Sequence, residues 1–257
     1  EAERDVRRLE ALGLDTPADR SLLSGLRARA GSRSEALEAI ENALNEDPSQ
    51  SKDWLSYANL LFEENENSKA LEAAEKCLEL DRQCGDAWAL KAKLLAPKTN
   101  RLKDALKASI HAVALEAGGV DLILLKADLL LTEGSASAAE ESLTKALEKD
   151  KMNGELRARI ATRNLLDGRI NDAQKLLDET PVGIDHALLH VVEGRLHLAY
   201  ADRTRDGTGE TDVTLLSVAI SAFENALKLN RELGVAWLGM ARTNRLLKNI
   251  DSAEEAL

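Results

Sequence analysis

Between Ser51 and Gln83 the chain reads SKDWLSYANLLFEENENSKALEAAEKCLELDRQ. Two runs with apolar residues at helical spacing flank the polar stretch ENENS, which predicts a helix, a turn and a second helix. Further turns of the same kind fall at PKTNR, EGSAS and LDGRIND, so the helix–turn–helix pattern recurs along the chain. Pro48, in NEDPS, sits where one such unit ends and the next begins. Trp54, Trp88 and Trp237, the only three tryptophans, each open an apolar helical run.

Sliding the chain against itself by 34 residues aligns the second helices too. Ala36, Ala70, Ala105, Ala139, Ala173, Ala219 and Ala253 form one column, with successive spacings of 34, 35, 34, 34, 46 and 34. A second column of small residues lies upstream at Ser24, Ala58, Ala92, Ala127, Ala161 and Ala241, with Gly194 in the sixth unit. A third holds Ala43, Cys77, Ala112, Ala146, Thr180 and Ala226. Small side chains on facing surfaces let two antiparallel helices approach closely. Larger residues such as Leu71, Leu78, Leu80, Leu143 and Leu147 are expected to fill the gap to the next unit. One helix pair cannot bury both its faces alone; stacked neighbours do so. The seven alanines are therefore expected in the interior, in an almost wholly helical chain of about fourteen helices with no sheet.

Composition agrees with this pattern. Hydrophobic residues make up 44% of the chain and aromatics 3%, so the apolar content is mainly Leu and Ala, which favour helix. The net charge of −11 is mixed along the chain, against a nucleic-acid surface and against binding to anionic membranes. No apolar stretch is long enough to span a membrane. Cys77 and Cys84 form neither a disulfide framework nor a zinc set, and fit a reducing compartment, though a periplasmic protein could carry them too. The first residues, EAERDVRRLEALG, read as a charged helix rather than a signal peptide, and both ends look cut from a larger chain.

At these residues the chain resembles the tetratricopeptide-repeat family, whose pattern is a 34-residue helix–turn–helix with small and large residues at fixed places. The unit Ser51–Cys84 supplies Trp54, Ala58, Leu61, Ala70, Ala74 and Cys77, and the unit before it ends with Pro48. The last unit supplies Trp237, Ala241, Asn244 and Ala253. Arg157 and His190 depart from the pattern at the usual aromatic position. The resemblance implies an all-α, right-handed α-solenoid of antiparallel helix pairs. A leftover helix (1–12) would precede a single solenoid of units 17–50, 51–84, 85–119, 120–153, 154–186, 187–233 and a partial 234–257. The sixth unit carries about thirteen extra residues at about 200–212, including ADRTRDGTGETDVT, expected to be an exposed loop.

Catalytic chemistry is not legible. There is no Gly-x-Ser-x-Gly elbow and no glycine-rich phosphate loop, so neither an enzyme nor a cofactor site is expected. His186, His190 and His197 share one helical face, which could seed a metal site; the favoured reading is core packing, with no metal. Cys77 is expected buried and inert.

Function is therefore expected at the surface. The resemblance implies a concave groove lined by first helices, in which a protein or peptide partner docks. Only Asn59 matches the carboxylate-clamp pattern of chaperone-binding members, while Asp86, Leu90, Asp121 and Leu125 stand where polar or basic groups would be needed. The groove residues expected here are Arg159, Leu165, Val191, Val192, Arg195, Leu198, Arg242 and Arg245. Arg195 and Arg242 fall at the same repeat position, and Arg242 and Arg245 share a helical face. Arginines gathered on one wall of an acidic chain suit an acidic partner segment with apolar anchors. The expected function is a non-enzymatic protein–protein interaction scaffold. The alternative is a repeat segment of a larger export subunit of the exopolysaccharide-secretion type, or of an enzyme complex. Self-association through exposed solenoid ends is a further expectation.

Overall fold

Each of the three tryptophans makes the same local hydrogen bond to the turn before its helix. In this computed structural model, which describes Arg8, Leu12 and residues 17–204 and 212–247, each indole donates to a backbone carbonyl six residues earlier. Trp54 Nε1 donates to Pro48 O at 2.8 Å, Trp88 to Arg82 O at 3.0 Å and Trp237 to Arg231 O at 2.8 Å. In these three places the indole ties the start of its own helix to the turn that precedes it. An aspartate or asparagine shapes that turn: the Ser49, Gln83 and Glu232 amides donate to Asp47, Asp81 and Asn230 two residues back.

Among the described residues the chain forms thirteen α-helices, one 3-10 helix and no strand. The first four are α1 (Pro17–Ala30), α2 (Arg33–Glu46), α3 (Ser51–Glu63) and α4 (Asn67–Leu80). Next come α5 (Gly85–Leu95), the 3-10 turn Thr99–Arg101, α6 (Leu102–Ala114), α7 (Gly119–Thr132) and α8 (Ala136–Lys149). The last five are α9 (Gly154–Leu166), α10 (Ile170–Asp178), α11 (Ala187–Arg203), α12 (Val213–Leu229) and α13 (Gly234–Leu246). The helix expected at 1–12 lies outside the described residues apart from Arg8 and Leu12, and Ala253 lies outside them too.

Turns within pairs repeat as well. The glycine or asparagine after the first helix takes a positive φ at Gly31, Asn65, Gly134 and Gly168. The next amide then reaches back five residues, as in Glu66 N to Leu61 O at 2.9 Å and Arg169 N to Asn164 O at 2.8 Å. This closure satisfies carbonyls that the helix end would leave bare.

The chain divides into two compact units, Glu1–Ala139 and Glu140–Leu257, and α8 spans the division. In the first unit α1 packs on α2, α3 on α4 and α5 on α6, and each pair is joined to the next through neighbouring helices. Ala36, Ala70 and Ala105 are fully buried there, and Ala139 nearly so. Ser24 is equally buried in the second column, and its hydroxyl donates to Ala36 O at 2.7 Å. Leu71 and Leu78 pack into clusters beside Trp54. Leu80, expected to fill the gap to the next unit, is exposed instead, because it lies at the very end of α4 where no neighbour covers it.

In the second unit α11 touches α9, α10, α12 and α13, and its apolar residues face several directions accordingly. Ala173 and Ala219 are fully buried. Phe223 of α12 is fully buried in the core that α11, α12 and α13 share. Its ring lies so close to Gly194 of α11 and Gly239 of α13 that an added Cβ would stand 2.7 Å and 2.4 Å from ring carbons. The insertion expected at about 200–212 begins later than that. Residues 200–203 continue α11, and Ala201 is fully buried in the Phe223 cluster, so apolar contact extends the helix. Asp212 caps α12, accepting hydrogen bonds from the amides of Thr214 and Leu215. Residues 205–211 lie outside the described residues.

Candidate functional site

The first helices of three successive pairs in the second unit, α9, α11 and α13, line a cleft of about 340 Å³. Each presents residues at helical spacing: Thr162, Leu165 and Leu166 from α9, and Arg195, Leu198, Ala199 and Asp202 from α11. Val235, Leu238, Gly239 and Arg242 come from α13. Intervals of three, four and seven put such residues on one helix face, and the packing of the three helices sets those faces side by side. Thr162, Arg195 and Arg242 hold the same repeat position.

Apolar side chains dominate the rim. Leu166 is 74% exposed and Leu238 59%, an unusual placement for leucines that the interior could have taken. Leu198 lies beneath them as a buried floor residue. Two arginines stand among these side chains. Arg242 Nη2 donates to Asp202 Oδ2 at 3.2 Å, and both residues are exposed. Arg195 is half-buried, and burial alone pulls its guanidinium below its ordinary pKa, with no carboxylate acting against the shift. Among the described residues it makes no hydrogen bond or ion pair. An arginine remains protonated under these conditions, so the cleft presents a partly desolvated cation without a counter-ion.

Four of the eight expected groove residues therefore meet in this cleft: Leu165, Arg195, Leu198 and Arg242. Val191 and Val192 require correction. They are 2% and 1% exposed and belong to the cores around Phe223 and around Ala158 and Ala161, because α11 is covered on several sides. Arg159 and Arg245 are exposed on α9 and α13 but do not line the cleft. Thr162, Asp202, Val235 and Leu238 were missed by sequence reasoning. Counting three, four and seven residues on from Arg195 would have found Leu198, Ala199 and Asp202 on one stripe.

The histidines form no comparable centre. Among the described residues no group of three or more His, Cys, Asp or Glu side chains is placed to hold a metal ion. His186 caps α11, its Nδ1 accepting from the Leu188 amide at 3.3 Å. His190, at the usual aromatic position, lies 2.9 Å from Asp185 by Nε2 and 3.3 Å from Glu193 by Nδ1. His111 stacks on Trp88 with ring centroids 4.7 Å apart, and Lys91 lies over the same indole at 5.7 Å.

An all-α chain of helix pairs repeating every 34 or so residues, with recurrent small residues where the pairs touch, defines a helical repeat protein. A tetratricopeptide-repeat family model matches residues 27–94, and the fold neighbours include tetratricopeptide-repeat proteins. The crystal structure described as YrrB, a TPR protein with an unusual peptide-binding site, is 20% identical, with a TM-score of 0.56 over 78% of this chain and 96% of that one. PilF of Pseudomonas aeruginosa is 16% identical, with a TM-score of 0.63 over 88% of this chain and 97% of that one. A human IFIT1 dimer with m7Gppp-AAAA is 19% identical, with a TM-score of 0.56 over 99% of this chain and 71% of that one. At these identities the likeness is one of fold. No curated protein matches the sequence. Among the described residues no helix is long and apolar enough to cross a membrane.

Proposed function

We propose that the chain is a non-enzymatic scaffold whose cleft between α9, α11 and α13 binds a segment of a partner protein carrying an acidic side chain and apolar anchors. The observation that carries this reading is Arg195, a half-buried guanidinium without a counter-ion among the described residues, set among the exposed Leu166 and Leu238. Burying a charge without a partner is costly, and a ligand carboxylate supplies the missing partner with charge-assisted, bidentate geometry. The leucines offer the apolar contact that gives such an interface its affinity. A fold neighbour described as having a peptide-binding site supports a peptide as the occupant.

The net charge of −11 sharpens the argument, because the molecule as a whole repels acidic ligands. Attraction must come from the local arginines. Binding is tested on an immobilised array of short peptides combining leucine with glutamate, lysine or glutamine. Wild-type protein is expected to be retained by the Glu–Leu peptides, and retention is expected to disappear in Arg195→Glu with the melting temperature unchanged. Retention by lysine peptides in preference, or unaltered retention of Arg195→Glu, would overturn the reading.

A further inference from the structure

We infer that Asp202 is a specificity residue that limits the cleft to a segment with one carboxylate and rejects a second acid about three residues away. The inference rests on the peptide-binding reading above. Asp202 lies seven residues after Arg195 on α11, so the two α-carbons are separated by roughly 10 Å at about 1.5 Å per residue. Both side chains line the cleft. At the Arg195 end the cation is open. At the other end Asp202 accepts from Arg242 at 3.2 Å, and the two charges cancel locally.

An extended segment advances about 3.3 Å per residue, so some three residues cover the distance between the two ends. A glutamate seated on Arg195 therefore places the residue three positions along it beside the Arg242–Asp202 pair. A neutral residue fits there against Leu238 and the aliphatic stem of Arg242. A second glutamate meets the Asp202 carboxylate and must compete with it for Arg242. That competition is internal to the protein, since an intramolecular counter-ion already occupies the arginine. Removing the Asp202 charge frees Arg242 and turns the position from one that rejects an acid into one that accepts it.

The experiment measures fluorescence-anisotropy titrations of labelled, end-blocked tetrapeptides on the whole chain. The probes are Glu-Leu-Leu-Gln, Gln-Leu-Leu-Glu and Glu-Leu-Leu-Glu, the two mono-acids covering both directions of the segment. For wild type, the better mono-acid peptide is expected to bind about 2- to 5-fold more tightly than the di-acid, the size an exposed charge pair provides. In Asp202→Asn the preference is expected to vanish or invert. Wild type binding the di-acid at least as tightly, or a preference that survives Asp202→Asn, overturns the inference and leaves the cleft reading intact. Failure of all three peptides to bind wild type, or equal binding by Arg195→Gln, removes the cleft reading and this inference with it. A melting curve of Asp202→Asn separates a binding effect from a folding one.

Discussion

Arg157 stands where three other helix pairs carry tryptophan, and it does part of the same work. Its Nη2 donates to Lys151 O at 3.2 Å, six residues earlier, while Nη1 donates to Leu176 O at 3.0 Å. The guanidinium thus replaces the indole N–H and adds a second bond, at the cost of burying a cation. Arg157→Leu should cost about 1–3 kcal/mol in chemical denaturation, because Lys151 O loses its guanidinium donor and Leu176 O keeps only the Thr180 hydroxyl at 3.3 Å. Arg157→Trp should cost less, since an indole restores the bond to residue 151. Equal stability of Arg157→Leu and wild type would show that neither bond matters. The tryptophan register was legible because identical residues recur at a fixed spacing. The arginine's role was not, because it depends on where two carbonyls point. Cys77 was readable from its small-residue column. Burial pushes its thiol up to about 12, and a hydrogen bond with Cys84 adds to this. A thiol reagent at pH 8 should therefore label at most one cysteine per native chain and two in denaturant; two in the native state would contradict the burial.

At the scale of elements, Phe223 shows how one large residue organises three helices. Gly194 and Gly239 leave space on two sides of its ring, and a methyl at either position collides with it. Gly239→Ala should cost about 1–3 kcal/mol. Phe223→Leu should relieve part of that loss in the double mutant, and strictly additive losses would refute the contact. Periodicity had identified Gly194 as a small-residue position, but not the ring that requires it. The length of α11 was misjudged for a related reason. The run DRTRDGTG reads as loop chemistry, while Ala201 beside it is held in helix by burial that only the folded neighbours provide. At the other end of that segment Asp212 caps α12. Hydrogen bonds from Thr214 hold its carboxyl below its ordinary value of 3.8. Its contribution is present above that value and is lost as pH falls through the lower folded value. Asp212→Asn keeps the acceptor but cannot titrate there, so it should flatten the acid end of the stability–pH curve; unchanged steepness would mean that the cap is not linked to protonation.

At the scale of the whole molecule, the contacts within each unit join helices of one pair or of adjoining pairs. Stability in such an array is close to a sum of local terms and nearest-neighbour contacts. The sequence made this legible through the repeat itself: seven alanines in register imply seven similar interfaces. The cleft was half legible, since helical spacing finds a stripe but cannot tell whether a valine on α11 faces a neighbour or water. Phe223→Ala should therefore act locally although the site is deeply buried. The substitution is expected to cost about 3–5 kcal/mol, and amide hydrogen exchange should rise sharply in α11, α12 and α13, where Phe223 and its neighbours form one core. Exchange in α3, α4 and α5, organised around Ala58, Ala70 and Leu90, should stay unchanged. A matched rise across both sets of helices would mean that the chain unfolds as one cooperative body, and that the local account of its stability is wrong.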